Sequence, residues 1–159
     1  MNFKKILTLL LAAFFLACNS PKMGVLSKKQ KQNWYLSIEE TACFGKCPIY
    51  TLKADGYGTA MLDAKRFMEP LGSFSSSLED TTMASLVSLA AHADWKGYDS
   101  VYASGYSDLP STIVRYSIQP GDTHTVKYES DLAPEPIVAM ANSLKTFRKK
   151  TKWNSEVFE

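Results

Sequence analysis

The chain has 159 residues, is 45% hydrophobic and 12% aromatic, and carries 18 Lys and Arg against 16 Asp and Glu. This length supplies one domain with a single core, and the composition excludes disordered and collagen-like chains. The nearly balanced charge excludes the strongly basic surface that is typical of nucleic-acid binding, so we expect no nucleic-acid partner.

Residues 1–17 are typical of a secretory signal peptide, because two lysines precede an apolar run over residues 6–17. The run is shorter than the roughly 20 residues that a membrane-spanning helix needs. The next residue, Cys18, closes a Phe-Leu-Ala-Cys sequence that resembles the lipobox of bacterial lipoproteins, with Phe15 where leucine is usual. That resemblance implies cleavage before Cys18 and lipidation of its side chain and amine. The alternative is an ordinary signal peptide or an uncleaved anchor.

Acylation at Cys18 would provide several acyl chains, which hold a protein stably on a bilayer where one chain is marginal. We therefore expect a membrane partner, and a location in the cell envelope on the periplasmic or surface side of the outer membrane. Residues 18–33 are polar and aperiodic and predict a flexible linker. A single domain over residues 34–150 and a C-terminal tail over residues 151–159 complete the predicted organisation.

Six strands are predicted from alternation of apolar and polar residues. They cover residues 34–39, 49–54, 57–64, 66–74, 112–118 and 123–129. Asp55-Gly56 lies between the second and third and is a strong hairpin signal. Pro70 and Gly72 make the fourth a weaker prediction.

Two helices are predicted from apolar residues at intervals of three and four. The first begins at Asp80 or Thr81 and stops at Gly97. The second opens at Pro134. Their apolar positions are Met83, Leu86, Val87 and Ala90 in the first, and Ile137, Met140, Leu144 and Phe147 in the second. The predicted fold is α+β, with an antiparallel sheet in the order β-β-β-β-α-β-β-α and two helices packed on one face.

Cys43 and Cys47 are expected to form a disulfide, because an exported chain meets an oxidising compartment. Disulfide Cα atoms lie about 4.4–6.8 Å apart, whereas four steps along a strand span about 13 Å, so the chain must turn here. Gly45 is expected to supply the freedom for that turn. A redox-active dithiol and a metal site are the alternatives, although zinc would need further ligands such as His92, His124 or carboxylates.

Two motifs in the chain resemble those of a known family. They read Thr41-x-Cys43-Phe44-Gly45-x-Cys47-Pro48-x-Tyr50, followed by Asp55-Gly-x-Gly, and Asp108-Leu109-Pro110-Ser111-Thr112, in which Ser111 replaces the family's threonine. The family comprises small secreted bacterial lipoproteins that carry a domain of unknown function, and the resemblance covers about residues 33–150. It implies a location and a domain extent, but no activity or ligand.

The segment over residues 97–111 is the candidate binding loop. Tyr98, Tyr102 and Tyr106 recur at every fourth residue among Ser and Gly, a composition typical of antibody paratopes, and Asp108 follows them. The alternative is that Tyr102 and Tyr106 pack beneath the sheet edge while Asp108 caps a turn.

No catalytic motif, metal or cofactor is predicted. The function we favour is therefore a membrane-anchored binding or interaction module whose partner is an envelope protein, a peptide or a glycan. A thiol redox or metal-binding protein that uses Cys43 and Cys47 is one alternative, and a structural envelope protein is another.

Overall fold

The computed structural model describes residues 25–155. The predicted signal peptide and Cys18 lie outside the described residues. None of the described helices is long and apolar enough to cross a membrane.

The fold is α+β, as predicted, and is built on one eight-stranded sheet. The strands are β1 (Tyr35–Glu40), β2 (Ile49–Asp55), β3 (Thr59–Arg66), β4 (Gly72–Ser77), β5 (Val101–Tyr102), β6 (Ser111–Gln119), β7 (Asp122–Glu129) and β8 (Asn154–Ser155). Their order across the sheet is β5-β7-β6-β1-β2-β3-β4-β8. The helices are α1 (Lys28–Asn33), α2 (Asp80–His92) and α3 (Glu135–Lys150).

Strand alternation places one apolar row across the centre of the sheet, because residues opposite one another in neighbouring strands face the same side. Cross-strand pairing joins Ile38 to Leu52 and to Val114, and each of the three is fully buried. The apolar stripes of α2 and α3 complete this core, and the two helices contact one another. Their buried residues are Leu86, Val87 and Ala90 in α2, and Ile137, Met140, Ala141 and Leu144 in α3.

The sheet is mixed, so the prediction of a purely antiparallel sheet is wrong. The two-residue β5 pairs parallel with β7, while every other described pairing is antiparallel. A strand this short has no periodicity to detect, and the partner that it meets is set by the path of the chain around the edge of the sheet.

The fourth strand and the first long helix differ most from the predicted boundaries. The fourth strand occupies residues 72–77 rather than 66–74, because β3 continues to Arg66 and a turn containing Phe67 (φ 53°) follows it. The first long helix ends at His92, before the predicted stop at Gly97.

Part of the predicted flexible linker is helical, which corrects that prediction for residues 28–33. Ser27 and Gln30 form a reciprocal capping box at the start of α1. The helix lies against the turn between β2 and β3. A Cβ added to Gly56 there would overlap the Lys31 carbonyl and lie 2.6 Å from the Lys31 Cα. Glycine is required at this position because two backbone segments approach closely.

Candidate functional site

A disulfide between Cys43 and Cys47 closes the loop that connects β1 to β2. The two Cα atoms lie 5.8 Å apart, within the range that the bond needs, so the predicted pairing is present in the structure. Gly45 is not among the positive-φ glycines of the described chain, so the turn does not use the left-handed conformation that favours glycine.

The second sequence motif lies directly beside this loop. The Thr41 amide donates to the Ser111 carbonyl at 3.0 Å, and the Ser111 amide donates to the Thr41 hydroxyl at 2.8 Å. The Phe44 amide donates to the Asp108 carbonyl at 3.1 Å. These three bonds bring together two segments that are far apart in sequence, and they attach the disulfide loop to the candidate binding loop.

One aromatic side chain from each loop is left in solvent. Phe44, which directly follows Cys43 in the disulfide loop, is 93% exposed, and Tyr106, two residues before Asp108, is 70% exposed. We call this pair the aromatic tip. The sequence patterns do not mark Phe44 as a binding residue. The available signal was its place in a short connection between two cysteines that were expected to pair, since loops of this kind run over the surface.

The other two tyrosines of the candidate loop do not join the aromatic tip. Tyr98 and Tyr102 are half-buried and pack against the core. The Asp99 amide donates to the Tyr102 hydroxyl at 3.0 Å. Packing near the sheet edge, the alternative given for both Tyr102 and Tyr106, is therefore found for Tyr102, whereas Tyr106 faces solvent.

Glu129, at the end of β7, fixes the candidate binding loop. Its carboxylate accepts from the Ser104 amide at 2.9 Å and from the Ser104 hydroxyl at 2.8 Å. The Ser111 hydroxyl also donates to it, at 3.4 Å. The hydrogen bonds from Ser104 are the main reason that the pKa of the Glu129 carboxyl is lowered. The loop that carries Tyr106 is thus attached to the sheet by hydrogen bonds near its centre.

A polar cluster beneath the two loops connects them to α3. The Thr112 hydroxyl donates to Glu40 Oε1 at 2.7 Å and accepts from Lys145 Nζ at 3.0 Å. Lys145 also pairs with Glu40 at 2.9 Å. Each charge has both an ionic and a hydrogen-bonding partner, which satisfies these partly buried groups. The cluster therefore joins β1, β6 and α3 beneath the two loops.

Two buried tyrosines lie beside this polar cluster. Tyr50, the last residue of the cysteine motif, packs under the Arg148 guanidinium, which lies 4.6 Å from the ring centroid. Tyr128 is 1% exposed, and its hydroxyl has no hydrogen-bond partner among the described residues. Burial raises the pKa of both phenols, that of Tyr128 to about 12. Both side chains have a packing role and remain neutral at pH 7.

The histidines lie away from the disulfide. His92 is at the end of α2, with Nδ1 2.7 Å from the Ser88 carbonyl. His124 stacks on Trp95 with 5.8 Å between ring centroids, near the end of the sheet opposite the cysteines. Within residues 25–155, no three histidine, cysteine or carboxylate side chains are grouped to hold a metal ion.

The comparisons with known proteins agree with the extent of the folded domain. No curated protein sequence matches the chain. One family model matches residues 35–148, which include both sequence motifs, strands β1 to β7 and most of α3. The match covers well over half of the chain, and the protein therefore belongs to the family described as Domain of unknown function (DUF6438).

Proposed function

We propose that the protein is a lipid-anchored lipoprotein of the bacterial cell envelope whose domain binds another envelope protein through the aromatic tip. The observation that carries the binding proposal is the 93% exposure of Phe44 on a covalently closed loop. Full burial of a phenylalanine side chain contributes about 1.5–3 kcal/mol, and this ring gains none of it within the domain. A partner surface that covers the ring would recover that free energy.

The rigidity of the site supports the same proposal. The disulfide and the bond from the Phe44 amide to the Asp108 carbonyl hold the backbone that carries one ring, and Glu129 holds the loop that carries the other. A preorganised loop loses less conformational entropy when it binds, so more of the burial free energy of its side chains appears as affinity. Exposed aromatic residues of this kind are frequent anchors of protein interfaces.

The position of the tip relative to the N-terminal segment also favours a partner that is separate from the anchoring membrane. Lys31 contacts the turn at Gly56, whereas the Cys43–Cys47 loop lies at the other end of β1 and β2. A six-residue strand spans about 20 Å. The aromatic tip therefore lies at the far end of these strands from the turn that Lys31 contacts, which would direct it away from a membrane that holds Cys18.

The binding proposal predicts partner-specific crosslinking at the tip. A photoreactive residue placed at exposed Lys46 is expected to capture an envelope protein in cells, and the same residue at Tyr57 is expected not to. Tyr57 is a matched control because it is 63% exposed but lies on the turn at the opposite end of the sheet. Adding Phe44→Ala and Tyr106→Ala should remove the product at position 46 without lowering the melting temperature. A product that persists in the double variant, or a glycan or peptide captured instead of a protein, contradicts the assignment.

The anchoring proposal predicts a defined mass and location. Intact-mass measurement of protein from the membrane fraction should show a chain that begins at Cys18 and carries acyl groups. Cys18→Ala should abolish both the acyl groups and the cut before residue 18, so that its intact mass is that of a chain without lipid. A wild-type chain with an unmodified N-terminus, or the same acyl mass in Cys18→Ala, would show that Cys18 is not lipidated.

A further inference from the structure

The two rings of the aromatic tip are too small to form a specific protein interface by themselves. One large aromatic side chain buries about 150–250 Å², whereas each partner in an interface of standard size buries about 800 Å². If the proposed binding is specific, further surface beside the tip must take part in it. Neighbouring loops at the same end of the sheet can supply that surface.

The turn between β3 and β4 lies directly beside the disulfide loop. Ile49, the first residue of β2, pairs with Arg66, the last residue of β3. The turn therefore leaves the sheet next to Pro48, where the disulfide loop ends. Because paired strands lie about 4.7–4.9 Å apart, the two connections are neighbours at this end of the sheet.

This turn presents two large apolar side chains to solvent, Phe67 and Leu71, which we call the turn patch. Phe67 has a φ of 53°, a left-handed conformation that a bulky residue rarely adopts. Strained backbone of this kind concentrates at sites that bind ligands or partners. The strand order places the loop of Phe44 between the loop of Tyr106 and the turn patch, so the exposed apolar side chains lie on three neighbouring connections.

Positive charge surrounds the turn patch. The Arg66 guanidinium lies 4.7 Å from the centroid of the Phe67 ring. Lys46 is exposed on the disulfide loop, and Lys149, in the last turn of α3, lines one cavity together with Glu69 of the turn. Three cations therefore lie beside the patch with one carboxylate, which favours an acidic surface as the partner.

The side of the aromatic tip away from the turn patch carries negative charge instead. Asp108, two residues after Tyr106, is exposed there. A bilayer with anionic headgroups would attract one side of this end of the sheet and repel the other, whereas a folded protein can match both signs. The separation of charge therefore favours a protein over a membrane as the partner.

We propose that the envelope protein bound at the aromatic tip also covers the turn patch, with a surface that is apolar at its centre and acidic where it meets Lys46, Arg66 and Lys149. This inference rests on the proposed function, because it describes the remainder of the same interface. Phe67 and Leu71 enlarge the apolar centre, and the cations provide the polar rim that such interfaces contain.

Crosslinking at Leu71 in cells tests this extension. The photoreactive residue p-benzoylphenylalanine at position 71 should capture the same envelope protein that is captured at position 46. The crosslinked peptide of that protein should contain or adjoin aspartate or glutamate residues. Met61 is the matched control position, because it is an exposed apolar residue of β3 that faces away from the core, between two buried neighbours. No product is expected there.

Reversal of one charge tests the acidic surface. Arg66→Glu should lower the yield of the product at position 71 by about fivefold or more, because the new carboxylate would face the partner's acidic residues. Lys65→Glu is the matched control, since it makes the same change at the preceding residue, which faces away from the core and pairs with Asp63. Its yield should change by less than about twofold. If Arg66→Glu lowers the melting temperature, Lys149→Glu carries the charge test.

Several results would overturn the proposal. A product at position 46 without one at position 71 would confine the interface to the aromatic tip and leave the proposed function intact. A different protein, a lipid or a second copy of this chain captured at position 71 would assign the turn patch to another partner. An unchanged yield in Arg66→Glu, or a captured peptide without acidic residues, would contradict the charge match. The absence of a product at both positions would count against the proposed function as well.

Discussion

Gly56→Ala is expected to destabilise the domain by about 1–3 kcal/mol, the usual cost of forcing an added carbon into a packed site. The new Cβ would overlap the carbonyl of Lys31 and lie 2.6 Å from its Cα, so a backbone segment must move. We expect α1 to leave the turn between β2 and β3, which also uncovers the buried Leu26. Urea unfolding at pH 7 measures the loss.

Gly45→Ala is the control for this substitution. A Cβ at Gly45 would have its nearest atom, the Cys43 sulfur, at an ordinary 3.7 Å, so its free energy of unfolding should change by less than about 0.5 kcal/mol. Equal losses in the two variants would mean that the contact between Lys31 and Gly56 does not stabilise the fold.

Tyr128→Phe is expected to remove much of the alkaline instability of the protein and to leave its stability at pH 7 equal or higher. The hydroxyl that it deletes is buried, and its polar contact with the Thr112 side chain does not meet hydrogen-bond geometry, so little native hydrogen bonding is lost. Burial raises the folded-state pKa of this phenol from 10.0 to about 12. Between these pH values the unfolded chain releases the proton and the folded chain retains it.

The sign of the pH effect follows from that difference in bound protons. The folded state binds more protons than the unfolded state between pH 10 and 12, so stability falls as the pH rises. The fall attributable to Tyr128 totals about 2–3 kcal/mol over that interval. Urea unfolding at pH 7 and pH 11 should show a smaller difference for Tyr128→Phe than for the wild-type protein.

Tyr57→Phe is the matched control, because Tyr57 is 63% exposed. This variant should retain the wild-type pH dependence. A Tyr128→Phe variant that loses stability at pH 7, or that keeps the full alkaline loss, would indicate that the hydroxyl has a bonding partner in the folded protein.

Local sequence patterns were sufficient for most of the framework. The alternation around Leu36 and Ile38 depends on one strand alone, as does the interval between Ile137 and Leu144 along α3. The Cys43–Cys47 pairing could be predicted because an exported chain meets an oxidising compartment and the two cysteines are close enough in sequence for a turn to bring them within bonding distance. Regular periodicity and short-range covalent geometry need no knowledge of distant residues.

The candidate site was only partly predictable. The two motifs were each visible in the sequence, but their contact through Thr41 and Ser111 depends on β1 pairing with β6. Likewise, only the structure shows that Tyr106 is exposed and Tyr102 half-buried, because the two tyrosines have the same spacing and similar neighbours in the sequence.

The sequence by itself determined the α+β class, the approximate position of most strands and both long helices, and the disulfide. Only the tertiary structure decided the parallel pairing of β5, the attachment of α1, the exposure of Phe44 and the packing of Arg148 on Tyr50. The physical reason is the distance along the chain between the residues that determine each feature. Periodicity records which side of an element is apolar, whereas burial and pairing depend on residues that approach from elsewhere in the chain.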